Sequence, residues 1–152
     1  MRKIIVAAVL LIGAAAAEAQ LPGLRRRGPQ AQQAQQQALL QGIDALRADF
    51  AAQSGGTTVY FGAENVGLSV AARTILAAQA NWLRRHPEVV VRIEGYGDSG
   101  DTRDHALAVG ARRAEEARAY LVLMGIPAAQ LSATTWGKER PGLGRAVTIL
   151  VR

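Results

Sequence analysis

Val89-Val90-Val91-Arg92-Ile93-Glu94-Gly95-Tyr96-Gly97-Asp98-Ser99-Gly100-Asp101-Thr102 passes from a β-branched run through glycines into a helical segment. Residues 89–94 have the composition of a short strand. Residues 95–101 read as a glycine-rich loop, and a helix is expected from about Arg103. A helix N-terminus leaves backbone N–H groups unpaired and carries partial positive charge. Two carboxylates, Asp98 and Asp101, lie beside it in sequence. Asp101 or Thr102 suits the capping position. Asp98 comes three residues too early for that job, so it faces a ligand or braces the loop.

Reading outward, the helix that begins near Arg103 should end at Leu123-Met124-Gly125, with Gly125 as a left-handed cap. Upstream, residues 57–61 are β-branched and aromatic and predict a strand. Ser69 can cap a helix that Pro87 stops, with Ala72, Ile75, Leu76, Ala80, Trp82 and Leu83 on its apolar side. Downstream, residues 133–136 and 146–151 read as the last two strands. The order β-α-β-α-β-β predicts an α+β fold, a two-layer sandwich with helices on one face of a small mixed sheet. Tyr60, Trp82, Tyr120 and Leu121 are the expected large core residues.

Before this domain, placed at residues 57–152, lie two further units. Arg2 and Lys3, the apolar run from Ile4 to Ala17 and the small residues Ala17 and Ala19 have the pattern of a secretory signal peptide over residues 1–19. A membrane-spanning helix needs about 20 apolar residues, and this run is shorter. Residues 20–56 hold the cluster Arg25-Arg26-Arg27 and a tract of almost only Ala and Gln from 31 to 41. Leu39, Ile43, Leu46 and Phe50 fall on one helical stripe, which predicts an amphipathic helix over residues 30–52 with a weakly anchored first half.

The chain carries a formal charge of +6, and removal of the leader's two basic residues and one acid leaves +5. A basic exported chain can meet anionic lipid or an acidic wall polymer; export disfavours nucleic acid. Cys is absent, which removes disulfides, thiolate metal sites, thiol nucleophiles and a lipid-bearing Cys. The two histidines, His86 and His105, neighbour no G-x-S-x-G elbow and lack the i,i+4 spacing of a two-His metal site. They read as solvated surface residues. No catalytic set, cofactor or metal is expected.

Gly110-Ala111-Arg112-Arg113 places two guanidinium groups roughly 100° apart around the second long helix. Arg112 has Glu115 and Glu116 within reach on its own helix, a surface role. An Arg fork is the preferred partner of a carboxylate. Asp98 and Arg113 therefore have two readings: a solvated charge pair, or a clamp for a zwitterion, with Asp98 on an ammonium and Arg113 on a carboxylate. Arg113 lies about three turns along the helix by its rise. That puts it too far from Asp98 for direct contact unless the loop folds back.

Six blocks stand in one order: Val59-Tyr60-Phe61 with Glu64 and Leu68; Ala78 to Pro87; Val91 to Asp98; Gly110 to Ala114 with Tyr120-Leu121; Trp136-Gly137-Lys138-Glu139-Arg140-Pro141; and Arg145-Ala146-Val147. In that order they resemble the peptidoglycan-binding domain of the outer-membrane protein A family, which also occurs in the peptidoglycan-associated lipoprotein and flagellar stator protein B, with Val91 to Asp98 like the family's strand and G-H-[TA]-D loop. The resemblance implies a non-enzymatic module of the periplasm, free or associated with the outer membrane, that holds the diaminopimelate of the wall's peptide stem. It implies Asp98 and Arg113 as the main ligands, with Tyr96, Thr102 and Arg145 in the same contact set. The chain departs from the family pattern at Tyr96 in place of His, Ala106 in place of Asn, and a short segment before Arg145 that keeps one Arg of a pair. The alternative is a structural or partner-binding envelope protein with a decayed cleft, contacting other envelope proteins or an anionic membrane surface through its N-terminal region.

Overall fold

The computed structural model describes residues 28–140 and 144–150, with the side chains of 146–150 excepted. The expected leader, the Arg25-Arg26-Arg27 cluster and residues 141–143 lie outside the described residues. The elements are α1 (Pro29–Gln53), β1 (Thr58–Tyr60), α2 (Val70–Arg85), β2 (Val91–Tyr96), α3 (Arg103–Leu123), a single 3-10 turn (Ala128–Gln130), β3 (Leu131–Gly137) and β4 (Arg145–Leu150). The four strands form one mixed sheet in the order β1-β4-β2-β3. β2 runs parallel to β3 and antiparallel to β4, which also pairs antiparallel with β1. This is the expected α+β arrangement. Among the described residues, no helix is long and apolar enough to cross a membrane.

The helix limits follow from local chemistry. Ser69 caps α2 by accepting the Ala72 N–H, and Thr102 caps α3 by accepting the His105 N–H. At the other end of α3, Gly125 has φ 91°, a conformation that costs a Cβ-bearing residue energy. Its N–H donates to Val122 O, and that of Ile126 donates to Leu121 O. The paired bonds are a Schellman closure, and Ile126 is buried behind it.

The core lies between the sheet and the helices. Val59, Leu76, Ala80, Trp82, Leu83, Val91, Ile93, Ala114, Ala117 and Leu121 are all buried in one cluster. Phe50 of α1 belongs to it: its ring meets the Trp82 ring edge-on at 5.1 Å, and the Trp82 indole N–H donates to Asp49 at 2.7 Å. The second half of α1 is thus packed into the same core, while residues 28–42 are exposed.

Two expectations are corrected here. Tyr60 is 65% exposed, not core. Strand residues alternate faces, and Val59 takes the inward position of the three-residue β1. Tyr120 is only partly buried against the core, whereas Trp82 and Leu121 are fully inside. The second correction concerns the loop: Gly95 and Tyr96 belong to β2. Gly95 is required by packing rather than by a turn, since a Cβ there would lie 1.9 Å from Gly110 O. Strand and helix backbones touch at this pair of glycines.

Candidate functional site

The contact between Gly95 and Gly110 sets the geometry of everything after it. β2 meets α3 at the helix's middle, and the chain leaving β2 runs back along α3, with Gly97 against Ala106. Asp98 therefore lies beside the helix flank rather than at its tip. Helical side chains slant toward the N-terminus, so the long Arg113 side chain reaches back toward the same point. The two meet directly: Arg113 Nη1 donates to Asp98 Oδ1 at 3.0 Å and Nη2 to Oδ2 at 3.3 Å. The three-turn separation expected from the sequence is overturned, because it measured Asp98 from the helix start.

Arg113 is wholly buried, with 0% side-chain exposure. Its other bonds go to backbone carbonyls: Nε to Asn65 O, Nη1 to Tyr96 O and Nη2 to Gly62 O, each at 2.9 Å. Five N–H groups thus make five hydrogen bonds, the full capacity of a guanidinium. Its flat face lies 5.5 Å from the Phe61 ring centre. The side chain pins the loop after β1 to the loop after β2.

Asp98 keeps 24% of its side chain exposed. It also accepts the Glu64 N–H at 3.0 Å. The Arg113 fork, joined by that backbone N–H, holds the Asp98 carboxyl below the ordinary carboxylate range, against a smaller opposing effect of burial. Beside this pair stand Glu64, Asp101 and His105. His105 Nε2 is 3.3 Å from Glu64 Oε2 and 3.7 Å from Asp101 Oδ2.

The remaining expected contact residues are placed differently. Thr102 is the α3 cap, a few residues along the loop from Asp98. Tyr96 is only 5% exposed, and its hydroxyl donates to Glu94 Oε2 at 2.9 Å. Burial, more than the Glu94 bond, pushes its phenol pKa up. Arg145 stacks 4.9 Å over the Tyr96 ring. In this arrangement Tyr96 offers a ligand almost no surface, and Arg145 covers it. Both sit with Glu94, on the sheet face away from α3, because residues 92, 94 and 96 alternate with the helix-facing 91, 93 and 95. Arg112 is exposed, and Glu115 pairs with Arg118 instead.

Sequence reasoning passed over Glu94. It is 1% exposed and bonded to Arg92 and Tyr96. It also passed over the convergence of Glu64 and His105, which are 41 residues apart.

The OmpA family model matches residues 60–146, more than half of the chain and all of this site. The chain belongs to the OmpA family. It is 36% identical over 86 residues to a peptidoglycan-associated lipoprotein of Agrobacterium fabrum, covering 57% of this chain and 49% of that one. It is 38% identical over 99 residues to that of Pseudomonas aeruginosa, covering 65% and 58%. The chain thus spans about half the length of the curated relatives it matches. The crystal structure of the peptidoglycan-associated lipoprotein from Burkholderia pseudomallei superimposes with a TM-score of 0.61 at 29% identity, over 63% of this chain and 91% of that one. The C-terminal domain of Helicobacter pylori MotB shares the fold, with a TM-score of 0.58 at 17% identity, over 62% and 84%.

Proposed function

We propose that this OmpA-family domain is a non-catalytic module of the cell envelope that holds the peptide stem of peptidoglycan. The relatives' names carry peptidoglycan association, and the observation that carries the reading within this chain is Asp98. Its carboxylate is held ionised and oriented by Arg113 and the Glu64 N–H, with one edge left to solvent. An oriented anion with one edge facing solvent suits the ammonium of a stem diamino acid. Arg113 acts through Asp98 and the loop after β1, because its own donors are occupied. A ligand carboxylate reaches it only by replacing one of these five partners. The periplasmic site of action belongs to this proposal and rests on the expected leader.

A second reading is favoured by one observation. Arg113 and Tyr96, two of the expected contacts, are buried, which is what a decayed cleft on an intact fold would present. Sedimentation with purified peptidoglycan separates the two. Wild type should co-sediment, Asp98→Asn should lose at least tenfold in affinity, and exposed Arg112→Ala should behave as wild type. Melting curves of all three establish that the variants are folded. Equal retention of wild type and Asp98→Asn, or no retention of either, refutes the binding proposal.

A further inference from the structure

Glu64, Asp101 and His105 arrive at one point from three parts of the chain: the loop after β1, the loop after β2 and the first turn of α3. One ligand atom from each lies within 4.8 Å of the other two. Two carboxylates with one imidazole is a donor set for a borderline transition ion. Calcium and magnesium prefer oxygen alone. Ligands about 2.0–2.1 Å from a tetrahedral zinc ion stand roughly 3.3 Å apart. Glu64 Oε2 and His105 Nε2 are already at 3.3 Å, and Asp101 Oδ2 at 3.7 Å from Nε2 needs to close by only a few tenths.

A separate observation points to a cation here. Asp101 Oδ2 is buried and accepts no hydrogen bond, in a side chain only 14% exposed. A desolvated anionic oxygen without a donor is costly. The imidazole at 3.7 Å is too far to serve as that donor, whereas a metal ion between the three groups would satisfy it. The loops are already fixed. Glu64 N–H is bonded to Asp98, Asn65 O to Arg113, and Asp101 O accepts from Lys138 Nζ at 2.5 Å. The α3 N-terminus opposes a cation by about half a charge. With Arg113 neutralising Asp98, the two carboxylates of the set outweigh it.

We infer that Glu64, Asp101 and His105 form a binding site for one divalent zinc-class ion beside the Asp98–Arg113 pair. Glu64 and Asp101 each give a carboxylate oxygen and His105 gives Nε2, which leaves at least one coordination position open. The exposed Glu64 and His105 side chains make the entry path. The inference does not rest on peptidoglycan binding, because its probe is the metal alone.

The test is calorimetric titration of the purified protein with zinc chloride, together with melting curves with and without zinc. Wild type should bind one ion per chain and melt higher in excess zinc, as any ligand of the folded state requires. His105→Ala and Glu64→Gln should each weaken zinc binding at least tenfold while melting as wild type without metal, since both side chains are exposed. His86→Asn, at the far end of α2, should bind zinc as wild type does. The inference is overturned by the lack of saturable one-to-one binding in wild type. It is equally overturned by unchanged affinity in His105→Ala and Glu64→Gln, or by loss of binding in His86→Asn.

Discussion

Replacement of Arg113 by alanine should cost far more stability than an Arg on a helix surface would. Removing one partner of a buried ion pair typically costs about 3–5 kcal/mol. Asp98 is 24% exposed, so water recovers part of its charge and the lower end, about 3 kcal/mol, applies. Three carbonyls also lose a charged donor. Gly62 and Asn65 are exposed residues whose carbonyls can turn to water, whereas Tyr96 is buried. One unsatisfied buried acceptor adds about 1 kcal/mol. The expected loss is thus about 4 kcal/mol, at the upper edge of what single substitutions do. In a domain of this size it corresponds to a fall in melting temperature on the order of 20 °C.

Urea unfolding followed by Trp fluorescence measures this, with exposed Arg112→Ala expected within about 0.5 kcal/mol of wild type. Arg113→Lys should recover little, because an ammonium has three donors and no planar fork. The Asp98 carboxyl titrates below its ordinary value in the folded protein. The pair's contribution is therefore complete above the unfolded carboxyl pKa of about 3.9 and fades as the pH falls below it toward the folded value. Arg113→Ala should flatten that acid limb. A loss under about 1 kcal/mol, or an unchanged acid limb, would refute the assignment of Arg113 as the post that holds both loops.

Three further outcomes are expected. Phe50→Ala should destabilise by roughly 3–5 kcal/mol, as for other buried aromatics, because the ring packs on Trp82; a fragment of residues 57–152 should accordingly unfold at lower urea than one of residues 43–152, and equal midpoints would show that α1 adds nothing. Gly95→Ala should cost more than the ~1–3 kcal/mol of ordinary overpacking, since its Cβ would meet a backbone oxygen 1.9 Å away; a folded variant with wild-type stability would contradict the close approach of β2 and α3. Mass spectrometry of exported protein should find a chain beginning at or near Gln20, and a mature species that retains residues 1–19 would refute cleavage of the leader.

The element order was legible because its punctuation is local: Ser69, Pro87, Thr102 and Gly125 act through their own backbone bonds. What sequence reading got wrong depends on a second segment. Gly95, set between a strand and a helix, looks like a loop residue until Gly110 is brought against it. Tyr60 looks like core until the alternation of a three-residue strand assigns the inward place to Val59. Glu94 is buried because Tyr96 and Arg92 close over it, which the strand pattern alone does not show. Asp98 and Arg113 touch where the sequence put them three turns apart, since nothing in a helical repeat tells at which turn a neighbouring strand will cross.

The count of hydrogen bonds at Arg113 has a consequence for recognition in this fold. A guanidinium whose five donors are all used has nothing left to offer a ligand carboxylate without first losing a partner. Fully bonded and out of water, it is a fixed charge that orients Asp98 and shapes the loops. Under the proposed function, first contact with a ligand would fall to the groups beside it that keep exposed surface: Asp98, Glu64 and His105. Without a metal, two carboxylates there favour an ammonium. With a zinc-class ion held by Glu64, Asp101 and His105, an open coordination position would accept a carboxylate beside Asp98, whose carboxylate already accepts the Glu64 N–H. If that ion binds, the zwitterion clamp expected from the sequence would take its cationic half from Glu64, Asp101 and His105 rather than from Arg113. Peptidoglycan sedimentation in zinc and in chelator would decide it: retention of wild type should fall in chelator and that of His105→Ala should not change, whereas retention indifferent to metal in both would leave the ligand's carboxylate to Arg113.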